Sequence, residues 1–196
     1  MEEKGLVEQH PLGFFLPEGV RLLMLGSFPP KRERWSMEFY YPNFANDMWR
    51  IFGLVFFGDK DHFLVSSGAK AFDRDRIASF LREKQIGLGD TAQEVIRLKG
   101  NASDAFLQVV TPMDLPGVLA QIPRCEALVT TGQKATDTLL SLIEAEEPNI
   151  GGHAEFRFAD RPMRFYRMPS SSRAYPKPLA EKAADYRRMF EELGML

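Results

Sequence analysis

The run Val20-Arg21-Leu22-Leu23-Met24-Leu25, closed by Gly26, constrains the fold of this chain more than any other feature. Consecutive apolar positions leave no face for solvent, so an extended segment of this kind must be covered on both sides, as strands of parallel sheets are. Three weaker runs read as its companions: Ile86-Gly87-Leu88-Gly89, Ala127-Leu128-Val129-Thr130 and Met163-Arg164-Phe165-Tyr166-Arg167. Helical spacing lies between them. Phe44, Met48, Ile51, Phe52 and Val55 share one face, as do Ile77, Phe80 and Leu81 after Asp73, and Ala135, Leu139 and Ile143 after Gly132. In the last helix Pro178 suits the first turn, Leu179, Ala183, Tyr186, Met189 and Phe190 form the face, and Gly194 suits the end. Strands alternating with helices predict a three-layer α/β/α sandwich around a short, mostly parallel four-stranded sheet. In such sheets ligands bind beyond the carboxyl ends of the strands.

A chain of 196 residues, 44% hydrophobic, fills one core and is short for two, so a single domain over 1–196 is expected. No apolar run reaches the ~18 residues of a membrane span and no secretory leader precedes the first strand, which predicts a cytoplasmic monomer with no membrane partner. The lone Cys125 cannot make an internal disulfide or supply a cysteine cage. His10, His62 and His153 are far apart and read as surface or loop residues without a catalytic role. No metal and no organic cofactor is therefore expected.

The net charge of −2 argues against broad, salt-driven coating of nucleic acid. One segment is locally basic: Arg157, Arg161, Arg164, Arg167 and Arg173 stand against the single acid Asp160. It reads equally as a face that orients a polyanion and as a solvated rim.

The loop after the first strand carries Gly26-Ser27-Phe28-Pro29-Pro30, then a basic stretch, then Phe39-Tyr40-Tyr41-Pro42-Asn43-Phe44-Ala45-Asn46-Asp47-Met48-Trp49. Alone, the first of these is better explained by a turn with a buried Phe than by a ligand platform. Together with Tyr40-Tyr41 and Asn46-x-x-Trp49 it resembles the first active-site motif of the uracil-DNA glycosylase superfamily, and especially its hypoxanthine (deoxyinosine) branch. Pro30 stands where that branch has glycine, and Met48 where it has phenylalanine. Ile86 to Ala92, followed by Gly100-Asn101-Ala102-Ser103-Asp104, is similar to the strand end that presents a base-reading group in the superfamily. Met168-Pro169-Ser170-Ser171-Ser172-Arg173-Ala174 is similar to its second motif, with methionine in place of histidine at Met168, and Val129 to Ala135 to the strand and helix between. The likeness runs from about His10 to the C-terminus. It implies the superfamily fold, DNA carrying a damaged base as partner, and hydrolytic release of that base.

The residues suit that chemistry. A base must leave the stack to be excised, at a cost of roughly a few kcal/mol, and one stacking aromatic returns ~1–3 kcal/mol. Phe28 is the first candidate for that surface and Tyr41 the second. Gly26 and Ser27 would line the base site, and Ser170, Ser171 and Ser172 would hold phosphates. Arg173 or Tyr175 would fill the vacated stack. Asn46 is the candidate catalytic group, orienting a water, although asparagine there also suits a helix cap. Asp47 is an alternative base that would equally complement a helix dipole. Asp90 would contact the base, or cap a helix opening at Thr91; as an ionised carboxylate it accepts from a base N–H, and only when protonated does it also donate. No lysine lies in a motif position to form a Schiff base. Besides a monofunctional glycosylase, two readings stay open: a DNA-binding member of the fold without catalysis, and a small-nucleotide hydrolase, which lacks a G-x-x-x-x-G-K phosphate loop.

Overall fold

In the chain's computed structural model, which describes residues 5–99 and 104–196, β2 (Leu22–Gly26) has all five residues buried. The reason is its position between two parallel neighbours, β3 (Ile86–Asp90) and β6 (Ala127–Thr131). The remaining elements, in chain order, are β1 (Val7–Gln9), α1 (Met48–Phe57), α2 (Arg74–Lys84), β4 (Ala92–Arg97), β5 (Leu107–Pro112), α3 (Leu115–Gln121), α4 (Gln133–Leu140), β7 (His153–Phe158), β8 (Arg161–Met168) and α5 (Leu179–Glu192).

The main sheet runs β3-β2-β6-β8-β7. Its first four strands are parallel, and β7 pairs antiparallel with β8 at one edge. Side chains alternate across each strand. Leu22 and Met24, with Ile86, Leu88 and Val129, face a layer built from α1, α2 and α5; Leu23 and Leu25, with Leu128 and Phe165, face α3 and α4. This is the expected three-layer α/β/α sandwich. The sheet has one strand more than expected, because the run ending at Phe158 is too polar outside (His153, Glu155, Arg157) to register as a buried strand.

A second sheet, β1-β4-β5, is antiparallel and was not legible in the sequence. Its strands are partly exposed along most of their length and carry charges at Glu8, Glu94 and Arg97. It covers a small cluster of Phe28, Ala92, Val95 and Leu107. A helix opening at Thr91 is overturned by it: the chain turns from Asp90 directly into β4, with the Thr91 N–H donating to Gly26 O at 2.8 Å and the Ala92 N–H to Ser27 O at 3.2 Å.

Helix boundaries follow capping chemistry. Asp73 accepts from the Arg76 N–H at the start of α2, and Gly194 takes a positive φ of 64° just after α5. Phe44 and Ile143 lie outside α1 and α4 but pack against the same layers as the helical faces they were read with. Among the described residues no helix is long and apolar enough to cross a membrane.

Gly89 shows how closely the layers approach. A Cβ there would lie 2.1 Å from Cε1 of Phe14, so Gly89→Ala is expected to lower the unfolding free energy by about 1–3 kcal/mol in urea titration, through overpacking. Cys125 is buried, which pushes its thiol up to about 11. It is expected to resist a thiol reagent at pH 8 in the native protein and to react at once in denaturant.

Candidate active site

Four parallel strands end side by side. The register pairs Gly26 with Asp90, and Leu25 with Thr130, so Gly26, Asp90 and Thr131 stand together at the rim of the sheet, with Ser170 just beyond β8. These residues line a cleft of about 690 Å³ together with Ser27, Phe28, Tyr41, Asn46 and Ser170 to Tyr175. The candidate site residues read from the sequence line it, whereas Asp47, Met48, Trp49 and Met168 of the same motifs lie buried behind it. Asn101 and Ser103 lie outside the described residues.

Gly26 is required by a close approach. A Cβ on it would fall 2.6 Å from Asp90 Oδ1 and 3.5 Å from the Tyr41 hydroxyl, so its first duty is to admit these two side chains. Tyr41 has a positive φ of 51°, a conformation that bulky residues adopt only when their surroundings enforce it. Here its hydroxyl meets Thr131 Oγ1 at 3.2 Å and its ring stands edge-on to Trp49. Trp49 is fully buried and donates its indole N–H to Tyr40 O. Phe28 is only 9% exposed. Its ring packs into the small cluster under the second sheet, edge-on to His10, with the Arg97 guanidinium 5.5 Å from its centre. Phe28 is therefore a buried residue whose edge also lines the cleft.

His10 follows β1 in a loop, as one half of the expectation had it, but it is not a surface residue. Its side chain is 2% exposed, and Nε2 lies 2.6 Å from Asp90 Oδ2. The placement follows from β1, which pairs with β4, while β4 starts two residues after Asp90. The His10 N–H donates to Gln93 O, and the Phe15 backbone exchanges two hydrogen bonds with Leu88. A separation of 80 residues carried no local signal; only the unexpected second sheet brings the imidazole to the carboxylate. Tyr40 stands 6.0 Å from the imidazole and donates to Gly13 O. Burial, with Asp90 and Tyr41 adding to it, holds its phenol far above the ordinary tyrosine value.

Asn46 lies half-buried one residue ahead of the N-cap position, and its Oδ1 accepts the Met48 N–H at 2.9 Å. The capping role is thus real, and it fixes the amide at the mouth of the cleft. Asp47 is not available as a base. Its carboxylate is 10% exposed and shared by Arg173 at 3.4 Å, Arg50 at 3.6 Å and Lys182 at 3.7 Å. Lys182 is 1% exposed and also donates to Ser172 O at 2.8 Å. Burial lowers its pKa, and Asp47 opposes that shift. With the Asp47 N–H donating to Ser171 O, this ion cluster locks the start of α1 to the serine loop.

In that loop Ser170 Oγ accepts the Ser172 N–H and Ser172 Oγ accepts the Ala174 N–H, which leaves each hydroxyl its own hydrogen to donate outward. Ser171 is buried and contributes its carbonyl. Arg173 is exposed beside Asp47, and Tyr175 lies with its ring 5.8 Å from Lys182 Nζ.

The basic segment does not form one face. Arg161 donates to the carbonyls of Leu119, Ile122 and Cys125. Arg167 is held by Glu147 and Pro148 O. Arg157 and Arg164 line a second cleft with Glu126, Glu155 and Glu192 at the far side of the sheet. Of this segment Arg173 alone lines the candidate site, which Arg34 also lines from the first loop. Among the described residues no group of three His, Cys, Asp or Glu side chains is placed to hold a metal ion.

No family model matches the sequence, and no curated protein matches it either. A solution NMR structure from Methanosarcina acetivorans, of a protein provisionally assigned as a uracil DNA glycosylase, matches 94% of this chain and 99% of its own, with a TM-score of 0.62 and 22% sequence identity. At that identity the likeness is one of fold.

The ion cluster predicts strong coupling. Asp47→Asn leaves Lys182 buried without its counterion and is expected to lower stability by about 3–5 kcal/mol. In a double-mutant cycle by chemical denaturation, Asp47→Asn combined with Lys182→Met is expected to fall well short of the sum of the single losses.

Proposed function

We propose that this chain is a monofunctional DNA glycosylase that hydrolyses the N-glycosidic bond of a deaminated base, uracil or hypoxanthine, as a step of base-excision repair. One observation carries the reading: a single 690 Å³ cleft at the carboxyl ends of the parallel strands holds Phe28, Tyr41, Asn46 and Asp90 on one side and the Ser170 to Arg173 loop on the other. The fold likeness to the Methanosarcina protein, with its uracil DNA glycosylase assignment, supports it.

In this reading the extruded base enters between Phe28 and Tyr41, whose rings offset part of the unstacking cost. Asp90 accepts the N–H that both deaminated bases present. Asn46 orients the attacking water: its carbonyl oxygen has a second lone pair besides the one given to Met48, and its NH₂ group supplies two donors. The Ser170 and Ser172 hydroxyls and Arg173 meet the phosphates, while Arg173 or Tyr175 supports the gap left in the duplex. Lys182, buried and bonded to Ser172 O, has no access to a sugar carbon, in keeping with hydrolysis without a Schiff base.

The capping bond of Asn46 also favours a second reading, a DNA-binding protein of this fold without catalysis, since it draws on the atom that would accept from the water. Duplexes carrying one uracil, one hypoxanthine or no damage separate the two. Alkali-dependent cleavage at a damaged base, reduced about 10²–10³-fold in Asn46→Ala, is the expected result, in the range for loss of one positioned polar group. Strand scission before alkali would sink the monofunctional mechanism. Retained binding with no release from any duplex would leave the non-catalytic reading.

A further inference from the structure

We propose that His10 is a positioning residue that commits Asp90 Oδ1 to accepting a hydrogen bond in the cleft, so that the cleft selects bases whose ring nitrogen carries hydrogen beside a carbonyl. The inference rests on the assignment of Asp90 to base contact and goes beyond it to the origin of selectivity.

The argument follows the proton. The 2.6 Å contact between His10 Nε2 and Asp90 Oδ2 requires one hydrogen between them. If it belongs to nitrogen, Asp90 is a carboxylate and Oδ1 accepts. If it belongs to Oδ2, Asp90 is neutral, yet its hydrogen points at the imidazole and Oδ1 still accepts. The backbone of Leu12 serves both cases, because Nδ1 lies 2.8 Å from Leu12 O and 3.1 Å from Leu12 N. A protonated Nδ1 donates to the carbonyl, and a bare Nδ1 accepts from the N–H. Tyr40, whose ring stands 6.0 Å from the imidazole, gives its hydrogen to Gly13 O. Oδ1 itself lies over Gly26 near the Tyr41 hydroxyl, both part of the cleft lining. A carboxylate has about four lone-pair sites, so Oδ1 accepts from a ligand as well as from its neighbours.

An obligate acceptor at this point reads deamination directly. Uracil and hypoxanthine carry N–H at the ring nitrogen beside a carbonyl. Their parents, cytosine and adenine, present a bare lone pair there, which a second acceptor repels. When the shared hydrogen sits on nitrogen, the imidazole N–H also draws negative charge toward Oδ2, away from a base that departs as an anion.

Binding of free bases methylated at the glycosidic nitrogen, which would otherwise offer an N–H of its own, followed by NMR titration of the full chain, tests this. Wild type is expected to prefer uracil to cytosine, and hypoxanthine to adenine, by about tenfold or more. His10→Gln, which still donates to Oδ2, is expected to keep that ratio. His10→Ala, which frees a protonated Asp90 to turn its hydrogen into the cleft, and Asp90→Asn, whose amide can turn to donate, are expected to bring it below about threefold. Equal loss of affinity for both members of each pair in His10→Ala, at an unchanged ratio, would make His10 merely structural and overturn the proposal. So would a wild type that binds neither base or does not discriminate. Should His10→Ala fail to fold, Asp90→Asn and His10→Gln decide. A protein that discriminates free bases but releases none from DNA removes the glycosylase reading and leaves this inference standing.

Discussion

The in-register parallel pairing of β2 with β3 and β6 is the interaction on which the rest of the molecule depends. It is possible only because β2 is apolar on both faces, so that Leu22 and Met24 bury into one helical layer and Leu23 and Leu25 into the other. Its consequence lies at the strand ends. Gly26 stands opposite Asp90 and next to Thr131, three residues that are distant in sequence and adjacent in space. A slip of one residue would put every apolar side chain of β2 on the wrong face. The core thus determines the level at which the cleft residues meet.

Two polar clusters then make the cleft rigid in different ways. Beside α1, Asp47 gathers Arg50, Arg173 and Lys182, and the buried lysine ties the serine loop to α5 through Ser172 O. Removing either partner of such a buried pair exposes the other to the low-dielectric interior, so the cluster tolerates little change. Beside β3, His10 and Asp90 form a pair whose second nitrogen is satisfied in either tautomer by Leu12. The first cluster holds the loop that faces the nucleic acid in the proposed function. The second sets what the end of β3 offers to a base.

The positions of the arginines show why a charge count along a chain is a weak guide to a surface. Arg161, Arg164 and Arg167 lie along β8 and Arg157 in β7, at different heights on the sheet, and each has a partner near it: carbonyls for Arg157 and Arg161, Glu147 and Pro148 O for Arg167, and the Tyr166 hydroxyl for Arg164. Arg173 differs because it follows the strand end, where the loop enters the cleft. Segment charge becomes a binding face only when the backbone gathers it.

The sequence by itself determined the layered α/β architecture, the four parallel strands and most helices, because each is written in local periodicity: the continuous apolar run of β2, the spacing of Ile77, Phe80 and Leu81, and Pro178 and Gly194 around α5. It also marked Gly26, Asn46, Asp90 and the serine loop through motif order. Tertiary structure alone decided what those residues do to one another. That Gly26 admits the Asp90 carboxylate, that Asp47 is neutralised by three cations, and that His10 backs Asp90 all depend on segments distant in sequence, 80 residues for His10 with Asp90 and 126 for Asp47 with Arg173. The second sheet escaped for the same reason. Its strands are short, charged and half-exposed, so their stability comes from partners across the fold and from the small cluster beneath them, and not from any pattern along the chain.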